Sequence, residues 1–169
     1  MFMHHFLSAL FLLVCLSCTS DTPSCSAGQP VAIFAGAGVP VSAQQFEVDG
    51  QTSLESVEFA AERVRLELQQ SGCDAVVQDY TFTLPPDHEL ARGNVAESTG
   101  RLFYFLASGG PQLAQYQAFG EAIQAKGDAL QADREVELVP GMFIRVNRLV
   151  SGDELIQRVR LRQAGPRDL

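Results

Sequence analysis

Basic residues are scarce in this chain: 12 Lys and Arg stand against 20 Asp and Glu, for a net charge of −8. Nucleic-acid binding needs a clustered basic surface, and this balance argues against it. Histidine is scarcer still. Two of the three fall at positions 4 and 5, which leaves His88 alone in the body of the chain. His-based metal sites are thereby nearly removed, no CxxC or other metal-ligand spacing occurs, and any catalytic dyad would have to use that one imidazole. Ser108 precedes two glycines but lacks the GxSxG nucleophile pattern. No internal repeat is present. The longest uncharged apolar run, Phe6 to Leu16, is too short to cross a bilayer as a helix, which takes about 20 residues. No residue set reads as catalytic, and none calls for a cofactor.

What is present begins with that apolar run, FLSALFLLVCL, of a length that suits the h-region of a signal peptide. Ser17-Cys18 follows, and then a polar, turn-forming stretch. This segment resembles the signal of bacterial lipoproteins: an apolar Leu16, a small Ser17, and a cysteine that becomes the acylated N-terminus. The resemblance implies residues 1–17 as a signal peptide, lipidation at Cys18 and membrane attachment through the lipid. Thr19, with no adjacent Asp, implies the outer membrane. Ordinary secretion, with cleavage near Ser17 or Ser20 and a periplasmic or extracellular product, is the alternative. Cleavage before Cys18 removes Cys15, and acylation uses Cys18. Cys25 and Cys73 then remain as a pair in an oxidising compartment, where a disulfide is expected.

Residues 18–30, rich in Ser, Thr, Pro and Gly, read as a tether, and 31–169 as one domain long enough for a real core. With 46% hydrophobic residues, global disorder is excluded. Val31–Ala35 reads as a buried strand, and Val39–Val48 as an ambiguous stretch holding at most a short one. Thr52-Ser-Leu-Glu55 has the form of a capping box. Val57, Ala61, Val64 and Leu68 follow at helical spacing, with Gly72 at the C′ position. Val76 to Leu84 alternates as a strand with one apolar face. A polar loop then runs to Thr99. Arg101–Leu106, apolar on both faces, predicts a central strand. Pro111 opens a second helix whose buried stripe is Leu113, Tyr116, Phe119, Ile123 and Leu130. Gly120 and Gly127 beside that stripe would permit close approach to a sheet. Strands follow at Glu135–Leu138, Met142–Val146 and Leu155–Arg162, with Pro140-Gly141 between the first two.

The order β-α-β-β-α-β plus one strand predicts an α+β chain. The expected form is a ferredoxin-like two-layer sandwich, an antiparallel sheet with two helices on one face; a three-layer α/β fold is the alternative. In that arrangement Leu102, Tyr104 and Leu106 alternate with Phe103 and Phe105, so one set points away from the helices. Phe103 and Phe105 would then lie on an open apolar face, which a second copy, a protein partner or the segment Val39–Val48 would cover. Arg158, Arg160 and Arg162, at period two, place three guanidinium groups on one strand face, fit to meet carboxylate or phosphate. The function expected is a non-enzymatic, envelope-anchored interaction or ligand-binding module. The alternative is a small exported hydrolase or transferase using His88 with the loop carboxylates Asp87, Glu89 and Glu97. Ser108-Gly109-Gly110 is a tight turn with a possible anion-binding aspect.

Overall fold

Alternation of inward and outward side chains organises most of the chain. A computed structural model describes residues 30–36, 38, 41–72 and 75–165. Cys18, Cys25 and Cys73 lie outside the described residues. Four strands come first: β1 (Ala43–Asp49), β2 (Thr52–Phe59), β3 (Val64–Ser71) and β4 (Val77–Leu84). Two helices follow, α1 (Val95–Ala107) and α2 (Gln115–Lys126). Three more strands close the chain: β5 (Glu135–Val139), β6 (Met142–Ser151) and β7 (Glu154–Gln163). All seven strands form one sheet in the order β1-β2-β3-β4-β7-β6-β5, and every neighbouring pair is antiparallel.

The fold is therefore α+β, but its connectivity is not the β-α-β-β-α-β of a ferredoxin-like sandwich. Both helices fall in a single connection between β4 and β5. Three local readings change with it. Val31–Ala35 is not a strand but an irregular strap. Thr52–Ser71 is not a helix but the β2–β3 hairpin, so Thr52 and Glu55 form no capping box. Arg101–Leu106 is not a central strand but part of α1.

The register carries one buried face across the sheet. Val57 and Phe59 of β2, Leu66 and Leu68 of β3, Tyr80 and Phe82 of β4, Val159 and Leu161 of β7, and Ile144 and Val146 of β6 all belong to it. The helices pack there through aromatic rings. Phe103 of α1 stands 5.2 Å from Tyr80 and 5.8 Å from Tyr116 of α2, centroid to centroid, in the tilted and edge-on geometries rings prefer. Phe105 meets Phe59 edge-on at 4.9 Å. The expected exposure of Phe103 and Phe105 on an open sheet face is thus overturned. Phe103 is buried and Phe105 half-buried, both on the helix side.

α1 starts where Asn94 accepts a hydrogen bond from the Glu97 N–H at 2.9 Å, the N-cap arrangement. The two helices touch closely at glycines. A Cβ on Gly120 would lie 3.1 Å from the Gly100 carbonyl oxygen and 3.0 Å from the Tyr104 ring. Gly120 therefore serves the approach of α2 to α1 rather than to the sheet. Gly127, at φ +48° with open space around it, ends α2 instead of packing.

Glu55 fastens the strap. It points into the buried face of β2, fully buried, and its carboxylate accepts from Ile33 N–H at 2.7 Å, Phe34 N–H at 3.0 Å and the Gln44 side-chain amide at 2.5 Å. Phe34 so held stacks on Tyr116 at 6.2 Å and stands edge-on to Phe59. At the strap's start, the Gln70 side chain donates to the Val31 carbonyl at 3.1 Å.

Candidate functional site

β7 reads Leu155, Gln157, Val159, Leu161 inward and Ile156, Arg158, Arg160, Arg162 outward. Below the arginines, buried Gln157 donates to Thr99 Oγ1 at 2.8 Å and so ties the strand to α1. The register then sets the neighbours of each arginine. Arg158 lies opposite Thr81 of β4 and Asn147 of β6. Arg160 lies opposite Asp79 and Arg145, and Arg162 opposite Val77 and Phe143. Four guanidinium groups thus share the central part of the outer face.

They are not equivalent. Arg160 forms a two-pronged bridge to Asp79, Nε to Oδ1 at 2.7 Å and Nη2 to Oδ2 at 3.0 Å. Those hydrogen bonds, with the carboxylate charge behind them, raise the Arg160 pKa above the usual arginine value. Arg162 donates to Glu135 at 3.2 Å and rests 4.6 Å over the Phe143 ring, a cation–π contact. Arg158 and Arg145 are exposed, and among the described residues neither makes a side-chain hydrogen bond or ion pair. Cross-strand geometry puts these two on a diagonal, about 7–8 Å apart at the backbone and somewhat closer at Cβ. That spacing allows both to reach one anionic group or two adjacent ones.

Charge is divided across the outer face. β1 to β3 present Glu47, Asp49, Glu58 and Glu67 there, while the one arginine among them, Arg65, is bridged to Glu154. β6 and β7 present the four arginines. Far from being apolar, the outer face is polar throughout its middle, as suits an antiparallel sheet with one side in contact with water.

The other candidates resolve as fastenings. His88 Nδ1 accepts from the Leu90 N–H at 3.1 Å, which leaves the proton on Nε2 to donate to the Glu62 carbonyl at 2.8 Å. Both ring nitrogens hold backbone, and the histidine pins the 85–94 loop to the β2–β3 turn. Arg148 holds the far side of that loop through the Ala91 carbonyl at 2.7 Å. Ser108 lies at the C-terminal end of α1, where its hydroxyl donates to the Phe105 carbonyl and the N–H groups of Ser108 and Gly109 donate to the last carbonyls of the helix. Among the described residues, no group of three or more His, Cys, Asp or Glu side chains could hold a metal ion. Inside the core, burial pushes Tyr116 up to about 12 and raises Tyr80 well above 10. Their hydroxyls, 3.3 Å apart, are structural.

An open groove of about 440 Å³ lies at the turn end of the sheet, walled by Glu58, Arg63, Arg65, Asp153 and Glu154. It carries both signs of charge, and its Arg65 and Glu154 bridge each other.

Period-two spacing placed Arg158, Arg160 and Arg162 together from sequence. It did not single out Arg145, although the same alternation in Met142–Val146 sends Arg145 outward. Asp79, the group that neutralises Arg160, becomes a neighbour only through the β4–β7 register. No protein-family model, curated protein or solved structure matches the chain.

Proposed function

We propose that this chain is an exported, lipid-anchored interaction module without catalytic activity, which docks an acidic partner on the outer face of β6 and β7. One observation carries the reading: among the described residues Arg145 and Arg158 stand exposed without an ion pair, beside Arg160 and Arg162, which have theirs, and Glu135, the carboxylate across the strand from Arg145, is the one that bridges Arg162. In this reading the helices and sheet act as two layers, so the outer face is left free for a partner. The strands fix the backbone positions from which the two guanidinium groups reach out, so no loop has to be ordered when they meet a carboxylate pair. The alternative hydrolase or transferase finds less support, because the only histidine outside the N-terminal segment uses both ring nitrogens on backbone.

The test uses immobilised polyglutamate as a model acidic surface. Retention of the wild type should weaken steeply with salt, as rim electrostatics requires. The double variant Arg145→Glu/Arg158→Glu should keep its melting temperature within a few degrees and lose retention at least tenfold. Equal retention of the two proteins sinks the docking face. The anchor is tested separately: Cys18→Ala should abolish palmitate incorporation and move the protein from membranes to the soluble fraction. A wild type that is unlabelled and already soluble leaves simple secretion.

A further inference from the structure

The two edges of the sheet are built differently. β5 is five residues long, its register slips between Glu137 and Val139, and Pro140 ends it. A short strand, a bulge and a proline are the devices by which natural sheets refuse further pairing. β1 has none of them. Its seven residues, AQQFEVD, pair with β2 in unbroken register from Ala43↔Glu58 to Asp49↔Thr52. It contains no Pro, Lys or Arg, and among the described residues no strand occupies its outer side. Phe46 is only half-buried and Val48 is 50% exposed, both on the helix side of the sheet but beyond the helices' cover.

We propose that a second copy of this chain pairs antiparallel along β1, with the two-fold axis at Phe46, to make one sheet of fourteen strands. The register decides the occupant. Antiparallel self-pairing that uses all seven residues must centre on the fourth, Phe46. Gln45 then lies opposite Glu47 of the second copy, Gln44 opposite Val48, and Ala43 opposite Asp49. Each carboxylate meets a neutral residue, and the Gln45 amide can donate to the facing Glu47. Phe46 meets Phe46 of the second copy at the axis, an aromatic pair directly across the strands, and Val48 of each copy lies on the diagonal within reach of that ring.

Other registers lose this fit. Centring on Glu47 sets carboxylate on carboxylate. Centring on Gln45 leaves Val48 and Asp49 without partners in the strand. An odd shift pairs Phe46 with Glu47 and throws the two helix layers to opposite faces. Because β5 blocks the other edge, the association closes at two copies instead of running on as a fibre.

Sedimentation equilibrium of the full chain tests this, with a cysteine placed on the axis as a second readout. The wild type should show the mass of two chains, and Val48→Lys should raise the dissociation constant at least tenfold. Phe46→Cys should cross-link to itself under mild oxidation well beyond both the wild type and a Val150→Cys control. A one-chain mass at every concentration overturns the proposal, whether or not some other extended segment binds the edge. So does a dimer indifferent to Val48→Lys whose Phe46→Cys variant cross-links no better than the control.

Discussion

Phe103→Ser should destabilise the domain by about 4 kcal/mol or more, whereas Phe105→Ser should cost about 1–2 kcal/mol. The difference follows from position. Phe103 is fully buried and its ring meets those of Tyr80, Phe82, Tyr116 and Phe119. A serine there leaves a ring-sized void and buries a hydroxyl with no arranged partner. Phe105 is half-buried and has one aromatic neighbour, Phe59. With typical domain stabilities of about 5–15 kcal/mol, the first variant should be largely unfolded at moderate urea and the second should not. Urea titrations followed by circular dichroism read both. A stable, folded Phe103→Ser protein that loses a binding partner would contradict this packing and return the ring to a surface.

The same residues show why part of the fold was hidden in the sequence. Leu102–Leu106 is apolar at consecutive positions because α1 is covered on two sides, by the sheet and by α2, so its buried arc spans Ala96, Gly100, Leu102, Phe103 and Leu106. A helix enclosed in this way loses the one-sided pattern that distinguishes it from a buried strand. One signal was available. Asn94-Val-Ala-Glu97 has an N-cap residue with an acid three positions on, and the Asn94 side chain does cap the helix.

Removing the Glu55 carboxylate has the second large expected effect. Glu55→Ala should cost about 3–5 kcal/mol, since two backbone N–H groups and an amide lose a charged acceptor in a buried place. Glu55→Gln should lose less, because its oxygen can still accept one of the two N–H groups. Hydrogen exchange locates the damage: the Ile33 and Phe34 amides should lose protection first, as the strap lifts and Phe34 leaves Phe59 and Tyr116. If Glu55→Ala stays within about 1 kcal/mol of wild type with both amides still protected, the carboxylate is not the fastening.

Glu55 is also the reason the sequence of β2 resembles the start of a helix. Its inward positions begin Ser53, Glu55, while Leu54 points outward and is 42% exposed, an inversion of the usual polarity. The hairpin that follows turns at Ala60-Ala-Glu-Arg63 without Gly, Asn or Pro. Arg63 adopts φ +52° where a glycine would normally announce the turn. Only Val57, Ala61, Val64 and Leu68 remained visible, and they fall by chance at helical spacing. By contrast β4, β5, β7, the first half of β6 and the body of α2 are legible, since each has one buried side and ordinary punctuation, although β6 runs on past Val146 to Ser151 and α2 begins at Gln115, after a 3-10 turn at Pro111–Leu113. The arginine row was legible with them. Its pairing with Asp79 and Glu135 was not, because register across strands distant in sequence is a property of the assembled sheet.

That assembled sheet has a seam. Five of its six strand pairings join neighbours along the chain, β1 through β4 on one side and β5 through β7 on the other. The sixth, β4 with β7, joins residues about 70 to 85 positions apart, from Leu84↔Leu155 to Val77↔Arg162. The two meanders can form early from local contacts, but the seam has to wait for the longest loop closure in the sheet. Arg158, Arg160 and Asp79 stand on this seam, so the charged row comes into existence only when the halves have joined. A molecule bound across β4 and β7 would therefore recognise completed folding, and its binding free energy would add directly to the joint that closes last.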